Sequence, residues 1–427
     1  MRKELSLYLL ISLLSTSVLF AQEARKDSIE EYRKFRFGGY GEIGASYLDH
    51  DWNRATPHGT TKGGRAEISV PRFITAFDYK FNNRWSLGAE IEFEYGGTGC
   101  AREIEWYEEN GEYEVEIEKG GEVALEQVHL TYSFSPALNL RVGHIIVPIG
   151  LTNAHHEPIN FFGVYRPEGE TTIIPSTWHE TGVELLGSLG HFDYHLQVVS
   201  GLDPQGFRSE DWVKKGRQGM FEKTNFSSPA VVARLEYKGV KGLRIGGSFY
   251  FDNTAKNASK PHRNTGYKFP VLITSGDISY VSPHRDFILR ANAIYGYLGA
   301  SAALTKINNR SSNNSGYSHT TVAETALCYG GELGYNVGSL FGHREWRVYP
   351  FLRYEYYNPM ERVEAGSNLL ADKRMQVSAC SVGVNYYALP NLVVKADYMH
   401  RTIGRGAYNS ENLISLGIAY VGWFFSK

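Results

Sequence analysis

Residues 85–95 read WSLGAEIEFEY. Trp85, Leu87, Ala89, Ile91, Phe93 and Tyr95 alternate with Ser86, Gly88, Glu90, Glu92 and Glu94. That period of two places an apolar set on one face of a β-strand and a polar set on the other. The same pattern recurs outward along the chain. Phe192, Tyr194, Leu196 and Val198 oppose Asp193, His195 and Gln197, and Val231, Ala233, Leu235 and Tyr237 oppose Arg234 and Glu236. Trp346, Val348, Leu352, Tyr354 and Tyr356 oppose Arg347, Arg353 and Glu355.

Sixteen such segments can be counted, near residues 35–49, 65–81, 85–96, 122–134, 138–147, 180–189, 191–201, 230–238, 243–252, 270–281, 286–299, 323–337, 346–357, 374–388, 391–402 and 411–425. Short turns, such as Ser135-Pro136-Ala137 and Leu389-Pro390-Asn391, alternate with long polar connections such as 202–228 and 300–322. Short turns on one rim and long loops on the other describe an all-β transmembrane antiparallel barrel of the outer-membrane type. An even strand count brings both chain ends to one side, and about 16 strands enclose an aqueous lumen.

Composition agrees. The 427 residues could hold two or three soluble domains, but 29 Tyr, 22 Phe and 45 Gly suit a single large sheet. A formal charge of −2 gives no basic surface for nucleic acid. Arg2 and Lys3 precede the apolar run Leu5–Phe20, which ends at Ala21, as in a secretory signal peptide over 1–21. That run is short for a spanning helix, which needs ~20 apolar residues. Residues 22–34 read as a charged periplasmic lead-in and 35–427 as the barrel, which places the chain in the outer membrane of a Gram-negative cell, among its lipids and lipopolysaccharide. Cys100, Cys328 and Cys380 are too scattered for a disulfide framework or a zinc site, though Cys328 and Cys380 could pair across strands.

Two connections stand out. Residues 97–121 carry eight glutamates around Asn110-Gly111, the signature of a β-hairpin with a type I′ turn. Its acidity suits divalent cations, lipopolysaccharide or simple solvation. The other runs from 150 to 179, where Pro158, Pro167 and Pro175 leave no room for an element of ordinary length. Phe161, Phe162, Tyr165, Ile173, Ile174 and Trp178 make it too apolar for disorder, so it is expected to pack on the inner wall and set the pore diameter. It carries one arginine, Arg166, beside Glu157, Glu168 and Glu170. His155, His156 and His179 have no ligand spacing, so no metal site and no cofactor are expected. Ser176 near His179 lacks a Gly-x-Ser-x-Gly elbow, so no enzyme is expected. By parity Arg141, Arg234, Arg244, Arg290, Arg347 and Arg353 face the lumen, balanced by acids such as Glu90, Glu92, Glu184 and Glu332. Rings of charge of this kind set selectivity in pores.

Over 122–190 the chain resembles the phosphate-selective porin O and P family. The likeness lies in residues 123–134, VALEQVHLTYSF, then Pro136, Leu140-Arg141, Gly143-His144 and Pro148-Ile149-Gly150. His156-Glu157-Pro158, Arg166-Pro167-Glu168 and Ile174-Pro175 through Trp178 resemble the Bacteroidetes-type members. The last strand, ending Trp423-Phe424-Phe425 before Ser426-Lys427, is similar to the aromatic-terminated closing strands of outer-membrane barrels. The resemblance implies a sixteen-stranded homotrimeric channel whose third outer loop, Leu151–Thr177, folds into the lumen, with basic side chains selecting anions such as phosphate. Arg166 would then lie on that loop, next to Glu168, and Arg141 would face the pore. The function expected is diffusion of small hydrophilic solutes. The alternatives are a structural or ligand-binding barrel and, further off, a barrel enzyme using Ser176, His179 or the His155-His156 pair.

Overall fold

The computed structural model describes residues 34–50, 62–105, 114–218, 224–258, 260–309, 321–343, 345–405 and 409–427. The signal peptide, the lead-in up to residue 33 and the Asn110-Gly111 turn lie outside the described residues. The strands are β1 (Phe35–His50), β2 (Lys62–Lys80), β3 (Trp85–Glu105), β4 (Glu114–Ser135), β5 (Leu138–Ile146), β6 (His179–Leu189), β7 (Phe192–Val199) and β8 (Ala230–Tyr237). They continue as β9 (Leu243–Asn253), β10 (Pro270–Val281), β11 (Phe287–Leu298), β12 (Thr325–Tyr335), β13 (Val348–Arg362), β14 (Val377–Leu389), β15 (Leu392–Ile403) and β16 (Ser410–Ser426).

Each strand pairs antiparallel with its sequence neighbours, and β1 also pairs with β16, so the sheet closes into a sixteen-stranded barrel. Closure removes the unpaired edge that an open sheet would present. The seam runs from Arg36 opposite Ser426 to Leu48 opposite Leu413, and the Lys34 N–H donates to the Lys427 carbonyl at 2.8 Å. Because every pair is antiparallel, connections after odd strands fall on one rim and those after even strands on the other. The first rim carries 147–178, 200–229 and 299–324, whereas the second has connections as short as 136–137 and 190–191. Gly190, at φ +63°, supplies the left-handed residue that its two-residue turn requires.

The alternation seen in the sequence separates two surfaces. Ile43, Tyr47, Leu235, Ile414 and Leu416 are half or more exposed on the outside, a surface suited to lipid rather than water. On the inner face Glu90, Glu92, Arg141, Glu184, Arg234 and Arg353 are buried. Cys328 on β12 is buried and Cys380 on β14 is exposed, and both thiols are free.

Three local details go beyond the sequence reading. β3 and β4 do not stop at the barrel wall: their backbones run on to Glu105 opposite Glu114, with register shifts around Gly99, so the hairpin is a continuation of the wall. Connection 147–178 contains one short helix, Glu168–Ile173, and a single 3-10 turn, Pro158–Asn160. In β4 the ladder passes from Glu90 opposite Gln127 to Ile91 opposite Leu125, leaving Glu126 as an extra, bulged residue.

Candidate functional site

Connection 147–178 is tied at its own neck. The Val147 N–H donates to the Trp178 carbonyl at 2.8 Å, and the Asn153 side chain bridges the two ends, donating to the Val147 carbonyl at 2.7 Å and accepting from the Trp178 N–H. Glu170 accepts from the backbone N–H groups of Leu151 and Asn153 and, at 2.7 Å, from the Asn292 amide on β11. Gly150 makes this possible: its φ is +82°, and a Cβ there would lie 2.4 Å from a Glu170 carboxylate oxygen. The Trp178 ring lies against Tyr250 at 4.7 Å, within an apolar cluster that also takes Phe207, Trp212, Phe269 and Leu304 from neighbouring connections.

From this neck the connection makes contacts all around the inner wall. Toward β12–β15 the Lys395 ammonium donates to the carbonyls of Pro158, Phe161 and Gly163 at 2.5, 2.8 and 2.9 Å, and sits 4.3 Å from the Phe161 ring. Glu332 accepts from the Phe162 N–H at 3.1 Å and Asp397 from the Val164 N–H at 2.6 Å. The Phe162 ring stacks on Phe351, with centroids 5.2 Å apart and planes at 11°. Glu168 accepts from the Arg401 guanidinium and, at 2.9 Å, from the Tyr357 hydroxyl, while its own N–H donates to Glu355.

Toward β1–β4 the partners differ. Arg72 donates to the His156 carbonyl at 3.0 Å and to Glu42 at 3.0 Å. His156 Nδ1 lies 3.2 Å from the Asn153 carbonyl, and its Nε2 lies 3.1 Å from Glu126 Oε1. The Tyr40 hydroxyl donates to Glu126 Oε2 at 3.3 Å, and Gln127 donates to Glu90 Oε2 at 2.8 Å. Burial, reinforced by the Arg72 charge, lowers the His156 imidazole to about 3, so the ring is neutral. Burial also lifts the Glu157 carboxyl to about 8.

The residues expected to line the pore fall into three situations. Arg141, Arg234 and Arg290 are matched to wall acids: Arg141 to Glu184 at 2.9 Å, Arg234 to Glu236 at 2.7 Å and Asp277 at 2.9 Å, Arg290 to Glu332 at 2.7 Å. Arg234 also donates to the Gly150 carbonyl at 3.3 Å, Arg353 to the Tyr165 carbonyl at 3.5 Å, and Arg244 lies 3.9 Å from Glu236. Arg347 stands apart, just before β13, where its carbonyl accepts from the Tyr387 N–H. Arg166 Nε and Nη2 are buried atoms with no hydrogen-bond partner, and Arg353 Nε is another. Of the histidines considered as bases, His179 is hydrogen-bonded to His144 and lies 3.3 Å from Arg217.

Glu126 escaped the sequence reading. Its neighbours Val123 and Leu125 carry one alternation phase and Val128 and Leu130 the other, and this slip is the only local mark of the bulge that turns Glu126 inward to 0 % exposure.

A barrel of this topology is the fold of outer-membrane porins, and solved structures share it. OmpF of Salmonella typhi, solved with daunomycin, matches at TM-score 0.53 and 11% identity, over 90% of this chain and 97% of that one. The outer membrane channel DcaP of Acinetobacter baumannii matches at TM-score 0.51 and 13% identity, over 91% and 97%. The anion-selective porin from Comamonas acidovorans matches at TM-score 0.50 and 9% identity, over 91% and 99%. By sequence, an uncharacterized protein of Aquifex aeolicus (strain VF5) is 27% identical over 395 residues, 91% of this chain and 79% of its own length. No family model matches the chain.

Proposed function

We propose that the protein is an outer-membrane porin through which small hydrophilic solutes, anions such as phosphate among them, diffuse. Connection 147–178 crosses the lumen in this reading as the constriction. The observation that carries it is the spread of that connection's bonds: Arg72 on β2, Arg234 on β8, Glu332 on β12 and Lys395 on β15 all bond its backbone, and those strands lie far apart around one closed wall. A polar inner wall behind an apolar outer one supports an aqueous path.

In this reading Arg166, partly exposed on the connection itself, supplies the positive charge nearest the solute path. Arg141, Arg234 and Arg290 are matched to acids, whereas Arg166 has guanidinium nitrogens without hydrogen bonds. Arg353, Arg244, Arg347 and Glu168 act as its surroundings, setting the local field. Preference for anions such as phosphate accords with the resemblance to the phosphate-selective porins and with the named selectivity of the Comamonas acidovorans neighbour. Assembly as a homotrimer, export by the 1–21 signal peptide and contact of the 97–121 hairpin with lipopolysaccharide belong to the same reading.

Planar-bilayer recording of the purified protein tests it. Stable ohmic steps are expected, with a reversal potential in a salt gradient that shows anion preference and shifts toward cations in Arg166→Ala. Absence of open-channel current overturns the channel and favours a structural barrel. Current with cation preference, unchanged in Arg166→Ala, overturns the anion assignment alone.

A further inference from the structure

His156 Nδ1 faces the Asn153 carbonyl, which can only accept, so Nδ1 carries the ring proton and Nε2 presents a lone pair. That lone pair points at Glu126 Oε1, 3.1 Å away. Both residues are fully buried, and neither atom has a hydrogen-bond partner. Two acceptors held face to face in a dry interior repel one another unless something positive lies between them. Glu90 completes the group: one carboxylate oxygen of Glu90, one of Glu126 and one imidazole nitrogen of His156 lie within 4.8 Å of one another.

Each of these three side chains is also anchored by a neighbour. Asn153 holds the far nitrogen of the imidazole, the Tyr40 hydroxyl holds Glu126 Oε2, and Gln127 holds Glu90 Oε2. Metal ligands are oriented in this way, by a carbonyl on the histidine and donors on the carboxylates. Local charge points the same way. Around Arg72 lie four carboxylates, Glu42, Glu90, Glu92 and Glu126, and buried atoms of Glu42 and Glu92 also lack hydrogen bonds.

We infer that Glu90, Glu126 and His156 form a site for a divalent cation of the zinc type, joining the connection 147–178 to the wall at β3 and β4. One imidazole nitrogen and two carboxylate oxygens suit Zn²⁺ or a neighbouring transition ion rather than Mg²⁺ or Ca²⁺, which prefer oxygen alone. The 3.1 Å spacing of the histidine and glutamate atoms is close to the edge of a tetrahedron with bonds of about 2.0–2.1 Å. Three protein ligands leave a fourth position for water. The site does not depend on which solutes the barrel passes, so its test is independent of conductance.

The test is isothermal titration of the chelator-stripped, detergent-solubilised barrel with ZnCl₂, with CaCl₂ as comparison. Saturable binding of one zinc per chain is expected, with calcium binding far weaker. His156→Asn and Glu126→Gln should each weaken zinc at least 10–100-fold, the range seen when ligand-shell groups are lost. Co²⁺ added to the unaltered protein should give visible absorption bands of a low-coordinate N/O site, and those bands should vanish in Glu126→Gln. The Co²⁺ spectrum and Glu126→Gln decide the matter if His156→Asn does not fold. Zinc binding that is absent, or that is unchanged in both variants and so resides at an exposed group such as His343 with Glu345, overturns the site. A proton shared between Glu126 and His156 would then be what separates the two acceptors.

Discussion

Connection 147–178 meets the barrel wall on two sides, and the two contacts are built on different chemistry. Toward β12–β15, Lys395, Glu332 and Asp397 are matched to backbone groups of opposite polarity, Lys395 to three carbonyls and the two acids to N–H groups, and Arg353 Nε is left without a hydrogen bond. Toward β2–β4, capacity is left over: Arg72 Nη1, Glu92 Oε1, Glu126 Oε1 and His156 Nε2 are buried without hydrogen bonds. A satisfied contact fixes position. An unsatisfied buried group costs about 1–3 kcal/mol, which favours whatever proton or ion can fill it. The first side is therefore a clamp and the second a receptive surface, and the variants below separate them.

Phe162→Ala should have the largest effect. Its ring stacks on Phe351, lies under the Arg290 guanidinium at 5.1 Å and is fully buried. Removing a buried phenylalanine costs about 3–5 kcal/mol. Thermal unfolding in detergent should show that loss, and single-channel records should show wider current fluctuations as the connection loosens. Unchanged stability would mean that the aromatic stack is not part of the clamp.

Lys395→Met ranks next. The methionine fills most of the volume but leaves the carbonyls of Pro158, Phe161 and Gly163 without their shared donor. Two or three buried acceptors losing a charged donor should cost about 3 kcal/mol. Arg72→Met on the opposite side removes a donor to one loop carbonyl and should loosen the connection less. Equal effects from the two would abolish the distinction between clamp and receptive surface.

The sequence carried the wall almost entirely. A period of two, interrupted by turn residues, locates sixteen strands because lipid outside and polar groups inside make every strand amphipathic. The same parity put Arg141, Arg234, Arg244 and Arg353 on the polar face, where they are buried, but it also counted Arg347, which lies before β13. Partner choice across the barrel was not: Lys395 and the Pro158 carbonyl are 237 residues apart, and no local pattern encodes which wall charge meets which loop carbonyl. The 97–121 hairpin read as separate from the wall because Gly96-Gly97-Thr98-Gly99 interrupts the alternation, whereas the backbone carries the ladder through with shifted register. Glu126 was hidden by a one-residue bulge, for parity reverses every face beyond such a point.

Glu170→Gln sharpens the comparison at the neck that serves both sides. The carboxylate accepts from the N–H groups of Leu151 and Asn153 and from Asn292. An amide would turn an NH₂ toward at least one of these donors, at about 2 kcal/mol. Hydrogen exchange at the Leu151 and Asn153 amides should accelerate, while amides of β12–β15 should keep their protection. Exchange that is unchanged at both amides would remove Glu170 from the neck.

Tyr40→Phe should have the smallest effect, and for that reason it examines the receptive side most cleanly. The ring keeps its buried place against Ile74 and His156, and only the hydroxyl that donates to Glu126 Oε2 at 3.3 Å is lost. A long hydrogen bond to a group that already has spare acceptors is worth about 1 kcal/mol or less. Unfolding should therefore shift only slightly, far less than in Lys395→Met. If instead Tyr40→Phe destabilised the barrel as strongly as Lys395→Met, the β2–β4 side would be as tightly determined as the clamp, and its unsatisfied atoms would be strain held by Tyr40 rather than capacity for a ligand.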